Sequence, residues 1–277
     1  MGICNISDPS SAPYISGDTF RTLGNHIYDE HSHCRASDIN AGDCVFVGLR
    51  KLDEFFTYIH PSIVNPYILI SHNGDLDVDS KYKKYLNRKI IHWYTQNASF
   101  VHPKLTPIPI GLENLDYFNH GITTLYDDLR GSSRRKVPRI LYGFSISTNP
   151  SRRSKVLKVL SQVSVSNKIT ERLNSMEYLK QLSRYMFVAS PPGNGEDCIR
   201  TWEALYLGVI PIVESSVLTR SFVKLGLPLL IIEDWKVLEK YDEQSLEKLY
   251  KRMMKKADFS ALYFRYWKSR IEKTHAN

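Results

Sequence analysis

Arg200 and Glu203 lie three residues apart on a stretch of helical spacing, just behind the turn Pro192-Gly193-Asn194-Gly195. Ile199, Trp202 and Tyr206 fall where the same helix can pack inward. An apolar, strand-like run ends at Ser190, so the order is strand, glycine turn, then a helix expected to begin at about Glu196. That order offers an anion free backbone N–H groups and the positive end of a helix dipole. An arginine fork suits a pyrophosphate, and a carboxylate one turn further on can accept both hydroxyls of a ribose. Gly193, Asn194 and Gly195 are the residues past which the ligand would approach the backbone. An exposed ion pair gives the same spacing, so the pair alone leaves both accounts open. Glu196 and Asp197 suit a first helical turn but repel phosphate, so at least one must turn away or bind a sugar hydroxyl.

A second basic loop follows the strand-like ILYGF, where Ser145, Ser147, Asn149 and Arg152 open the next helix and could hold the other side of a diphosphate. An Asn-Pro turn with exposed arginines is the competing account. Two such loops at neighbouring strand ends support each other, because ligands of parallel sheets collect at the carboxyl edge. In the first half, Asp18 and Arg21 follow one strand-like segment, and His72, Asn73 and Asp75 follow another. Transfer of a group to a hydroxyl needs a base beside the acceptor. Asp75 is the first choice, with Asp18 and His72 behind it and Arg21 and Asn73 on the acceptor side, although each also fits a cap or turn. The run Asp75, Asp77, Asp79 contains a DxD, which raises a divalent cation on the diphosphate as an alternative. It ranks below a metal-free site, since arginine and backbone amides can do the same work. His31, His33 and Cys34 fit no standard zinc spacing, so no metal is assigned.

The elements that must position these residues follow from the alternation of apolar runs and helix-length segments. PYIS, DCVFVGL, PYILISHNGD, KIIHWYT and LTPIPIGL read as strands of the first half, with DTFRTLGNHIYDE and LDEFFTYIH as helical stretches between them. Loop-like sequence between Asp116 and Pro138 ends in GSSRRKVP. The alternation then restarts with VPRILYGF, SRRSKVLKVLSQV, SMEYLKQLSR, YMFVASP, DCIRTWEALYLG, GVIPIV, SSVLTRSFVKLG and LPLLII. The boundaries expected are 1–118 for an acceptor-side domain, 119–136 for a linker, 137–257 for a donor-binding domain and 258–277 for a C-terminal helix that packs on its own domain or crosses back to the first.

Composition sets the outer limits. With 277 residues, 42% hydrophobic and 24% charged, the chain is long enough to bury a real core. The net charge of +8 favours an anionic partner, but the basic residues are dispersed and no nucleic-acid module appears, so nucleic acid is set aside. Four cysteines without a CxxC pair argue for a reducing compartment. No basic and apolar leader and no stretch of roughly 20 apolar residues appears, so a soluble, cytoplasmic protein without a membrane span is expected.

SPPGNGEDCIRTWEALYLGVIPIV resembles the C-terminal signature of exostosin-like glycosyltransferases, and YISGDTFR, ILISHNGD and WYTQNASFVHPKLTPIPIGLEN are similar to segments of their short soluble relatives in microbes and large viruses. The likeness is strongest over residues 185–213 and weaker before Glu113. It implies an α/β, GT-B-like fold of two Rossmann-like domains facing each other across a cleft, with the active site there. It also implies an inverting transfer from a nucleotide-sugar donor, most often a UDP-sugar and here with xylose in view, to a glycan hydroxyl, including that of a protein-linked oligosaccharide. Carried onto this chain, Arg200 contacts the diphosphate, Glu203 the ribose, and the turn from Gly193 to Gly195, with Asn194 and Asp197, the donor. A metal-dependent transferase and a non-catalytic nucleotide- or glycan-binding module are the competing functions. Large members of the family are membrane-anchored; this chain shows no anchor, so for a viral member the host cytoplasm is the expected location.

Overall fold

The computed structural model describes residues 11–115, 123–131 and 135–275 as two five-stranded sheets with parallel pairing, each flanked by helices. They belong to two Rossmann-like units, the pair of domains from which a GT-B-like fold is made. One unit runs to Gly121 and takes in the chain from Tyr263 onward; the other spans Ile122–Leu262.

In the first unit, α1 (Gly17–Arg21) precedes β1 (His26–Tyr28) and β2 (Cys44–Gly48). Next come α2 (Leu52–Glu54), which runs into a π turn over Phe55–Ile59, and then β3 (Tyr67–His72), β4 (Ile90–Thr95) and β5 (Leu105–Pro107). The strands pair in chain order. Right-handed connections that always advance in one direction fall on one face of a sheet. Phe55, Phe56, Tyr67, Tyr82 and Trp93 fill the core of that face, each buried apolar side chain contributing about 1.5–3 kcal/mol. Other elements must cover the opposite face. Phe20 of α1 lies 5.9 Å from the Trp267 ring of the helix Phe264–His275, and the Tyr94 hydroxyl of β4 meets Thr274 Oγ1 at 2.7 Å. The C-terminal helix therefore packs back on the first unit.

The second unit contains α3 (Thr123–Gly131), β6 (Val137–Tyr142), α4 (Pro150–Leu160), β7 (Ser166–Lys168), α5 (Ser175–Leu182) and β8 (Tyr185–Ala189). It continues with α6 (Ile199–Tyr206), β9 (Ile210–Glu214), α7 (Val217–Lys224), β10 (Leu230–Ile232) and α8 (Glu243–Lys255). Its strand order, β10-β9-β8-β6-β7, is that of a doubly wound sheet. The order reverses between β6 and β8, and ligands of doubly wound sheets gather outside the carboxyl ends of the strands at such a point.

Three local expectations change. PYIS forms only isolated bridges at Tyr14 and Ser16, and the segment expected to be a long helix holds the short α1 and β1. Ser16 caps α1 reciprocally with Thr19, which ends the extended segment there. Residues 123–131 of the expected linker are helical, with Tyr126 buried 5.9 Å from the Tyr206 ring; residues 119–122 and 132–134 of that linker lie outside the described residues. Lys136, at the end of the expected linker, donates to the Ser183 and Leu207 carbonyls at 2.6 and 2.9 Å. It ties together the C-terminal ends of α5 and α6, and burial lowers its pKa to about 8. No helix of the described residues is long and apolar enough to cross a membrane.

Candidate functional site

The site starts from the two loops on either side of the reversal point, residues 143–149 after β6 and 190–198 after β8. Asn149 caps α4 by accepting from the Arg152 amide, and its side-chain amide donates to the Gly193 carbonyl at 3.0 Å. Arg153, one residue further on, is only 6% exposed. Its guanidinium donates to the carbonyls of Pro192 (2.9 Å), Pro191 (3.1 Å) and Ser145 (2.9 Å) and to the Thr148 hydroxyl. One fork thus fastens one loop to the other. Burial lowers the Arg153 pKa, although a guanidinium stays protonated in any ordinary solution. A side chain at Gly193 would run into the Arg153 guanidinium, so glycine allows the close approach.

The turn does not lead directly into α6 as expected. The helix begins at Ile199, with Cys198 as its N-cap. Asp197 accepts both the Trp202 indole N–H (2.9 and 3.0 Å) and the Cys198 amide (2.9 Å), so its carboxylate holds the turn rather than presenting itself to a ligand. Glu196 also turns aside: it pairs with Arg152 at 2.9 Å, and Glu214 stands 3.7 Å from the same guanidinium. The Glu196 bond raises the Arg152 pKa against a burial cost. Arg152 is therefore an ion-paired residue that neutralises two carboxylates beside the turn. Ser145 lies on the exposed outer loop, its hydroxyl 2.7 Å from that of Ser147.

Arg200 sits on the first turn of α6. Its guanidinium lies 5.9 Å from the centre of the Phe144 ring, and the Arg153 guanidinium lies 5.6 Å from the same ring. Arg200 Nε and Nη1 are both buried, and neither has a hydrogen-bond partner. Three of its five N–H donors are therefore withheld from water without an acceptor, which costs about 1–3 kcal/mol or more for a buried group. Glu203, one turn on, is 3% exposed. Beside the turn a small pocket is lined by Ser190, Pro192, Glu196, Thr201, Glu214 and Thr219 among others, a set rich in acceptors for hydroxyl groups. Sequence reasoning missed Arg153 and Phe144; only the spacing of Arg153 with Val156 and Leu160 on the buried side of α4 signalled the first of them.

In the first unit, Asp18, His72 and Asn73 come together in one network. Asp18 accepts from the Leu115 amide and donates its own amide to Asn114 Oδ1, both at 3.0 Å, while Asn114 Nδ2 donates to Asn73 Oδ1 at 3.1 Å. Asn73 is in the left-handed region at φ 61°, which asparagine tolerates, and a side chain on Gly17 would overlap its amide. His72 is 1% exposed: Nδ1 accepts the Asn73 amide at 2.8 Å and Nε2 donates to the Pro109 carbonyl at 3.0 Å. With both nitrogens engaged and burial lowering its pKa, His72 is a neutral structural ring and not a free base, contrary to expectation. Arg21 is paired elsewhere, with Asp29 at 2.7 Å and Ser32 at 3.1 Å. Asp75 and Asp77 are exposed, and Asp79 caps the following turn by accepting from Lys81. Among the described residues, no group of three or more His, Cys, Asp or Glu is placed to hold a metal ion.

These buried histidines carry a pH signature. Burial lowers His60 and His92 to about 4, from an ordinary 6.5. The unfolded chain takes up protons first, so the stability these rings contribute is complete above pH 6.5 and is lost as the pH falls toward 4. Between pH 7 and 5 the melting temperature should drop by roughly 10 °C, corresponding to about 4 kcal/mol for the two rings together, and His60→Gln should remove about half of that slope. A melting temperature constant over this range in circular dichroism would refute the assignment.

No protein-family model matches the chain, and no curated protein sequence does. Among solved structures it is similar to an α,α-trehalose 6-phosphate synthase from Burkholderia multivorans, at 8% identity over 87% of this chain and 73% of that one, with a TM-score of 0.43. It is also similar to an α,α-trehalose-phosphate synthase (UDP-forming) from Burkholderia vietnamiensis, at 8% identity over 87% of this chain and 76% of that one, again with a TM-score of 0.43. At such identity and score the likeness concerns backbone architecture and assigns no residue a role.

Proposed function

We propose that the chain is an inverting glycosyltransferase of the exostosin-like kind that takes its sugar from a nucleoside diphosphate donor, a UDP-sugar first of all and UDP-xylose among the candidates. The observation that carries this reading is the Arg200 guanidinium, with Nε and Nη1 buried and without acceptors on the helix that follows β8, next to the point where the second sheet reverses. A diphosphate would supply the missing acceptors together with the opposite charge. Glu203 is the candidate for the ribose hydroxyls, and the turn at Gly193, Asn194 and Gly195 for the close backbone contact. In the reaction the acceptor oxygen attacks the anomeric carbon and loses its proton to a carboxylate. The bond from that carbon to the diphosphate breaks, and the nucleoside diphosphate leaves with the electron pair. Arg200 would stabilise the charge that grows on the leaving group. Asp75, exposed and without a hydrogen bond to any described residue, is the candidate base, and a glycan hydroxyl is the proposed acceptor.

A melting-temperature screen tests the reading, since a ligand that binds only the folded state raises its stability with occupancy. UDP and UDP-sugars at 100 times their Kd should add about 2.7 kcal/mol, while uridine should add nothing measurable. Absence of a shift with every nucleoside diphosphate at millimolar concentration would sink the proposal.

A further inference from the structure

Arg200 does not stand alone in lacking acceptors. The hydroxyl of Tyr178, on α5, is likewise buried and without a hydrogen-bond partner. Glu203 and Arg200 both stand close enough to act on the phenol by charge and by hydrogen-bond approach, yet the hydroxyl completes a hydrogen bond with no described group. Two separate helices therefore bring unsatisfied donors to one place, the guanidinium from α6 and the phenol from α5. Lys136 fixes both helices by their C-terminal carbonyls, so the pair is held in place rather than arriving by chance on a loose loop. Native chains rarely leave such groups unpaired, and several together need one acceptor-rich partner.

We propose that Tyr178 is a ligand-contact residue of this site, donating its phenolic proton to the same phosphoryl group that Arg200 holds. The inference rests on the reading that the second unit binds a nucleoside diphosphate. Burial, and after it the neighbouring Glu203 carboxylate, raises the Tyr178 pKa, so the phenol stays protonated and acts as a donor across the physiological range. A donor of this kind facing a charged acceptor contributes about 1.5–3 kcal/mol, which converts to a roughly ten- to hundredfold change in Kd.

Tyr178→Phe removes the hydroxyl and keeps the ring. The ligand-free variant should melt at the same temperature as the parent or above it, because an unsatisfied buried group is gone. Its affinities for UDP and for inorganic pyrophosphate, measured by titration calorimetry, should fall together by about ten- to hundredfold. A purely structural role would give the opposite pattern, a lower melting temperature with unchanged Kd, and would overturn the inference. So would unchanged UDP binding in Tyr178→Phe alongside its loss in Arg200→Ala, which leaves the diphosphate reading standing. If the parent protein binds neither UDP nor pyrophosphate, that reading fails and takes the inference with it.

Discussion

Arg200→Ala should lower sugar transfer, at saturating donor, by about 10²- to 10³-fold while leaving the melting temperature of the ligand-free protein unchanged or slightly raised. The two halves of this expectation have one cause. In the free protein, Nε and Nη1 of Arg200 are buried with no acceptor, so deleting them removes a cost rather than a bond. In the transition state, the same nitrogens would face the charge that builds on the departing diphosphate, where a single preorganised donor is worth several kcal/mol. Arg200→Lys should recover little, because an ammonium is a point charge and cannot reproduce a planar fork. Steady-state rates against donor concentration separate the possibilities: a rise in KM alone would mean that Arg200 only binds the donor. Near-normal kcat/KM would remove it from the site.

The fold was readable where burial is symmetric. Strands covered on both faces read as continuous apolar runs, as in Val45-Phe46-Val47, Ile68-Leu69-Ile70 and Phe187-Val188-Ala189, and those segments form β2, β3 and β8. β7 was missed because Ser166, Asn167 and Lys168 carry no apolar signal; the strand lies at the sheet edge and pairs only with β6. α3 was hidden because its one buried side chain, Tyr126, sits in a polar stretch and finds its partner, Tyr206, far away in the sequence. The start of α6 moved for a local reason: Asp197, expected in the first turn, is held outside it by the Trp202 indole of the same helix.

In the candidate site the loops were legible in the sequence and the contacts of their side chains were not. Which loops matter follows from strand order, because chemistry gathers where a doubly wound sheet reverses. Which arginine matters does not follow from residue type. Arg152 and Arg153 are neighbours in sequence, but about 100° apart around α4 one meets Glu196 at the surface while the other enters the interior with Val156 and Leu160. The same holds for His72, whose position after a strand suggests a base but whose two nitrogens are closed off by Asn73 and Pro109.

That difference between adjacent arginines gives the second large prediction. Arg153→Ala should destabilise the second unit by about 3–5 kcal/mol, whereas Arg152→Ala, which loses only a half-exposed pair, should cost about 1 kcal/mol or less. Removing the Arg153 fork leaves the Pro192 carbonyl without its donor, takes one of two donors from the Pro191 and Ser145 carbonyls, and opens a void next to Gly193. Of the described contacts between the two loops only the Asn149 bond to the Gly193 carbonyl then remains, so donor binding should fail together with stability. Arg200→Ala, by contrast, should lose function and keep its fold. Hydrogen exchange read by mass spectrometry resolves the two units: in Arg153→Ala, protection should collapse over residues 143–149 and 190–198 and weaken through β6 and β8, while β2 and β3 keep theirs. Parent-like protection of the 190–198 loop in that variant would mean that its remaining contacts, Asn149 to Gly193 and Trp202 to Asp197, hold it without the fork. The cradle for the diphosphate would then owe nothing to Arg153.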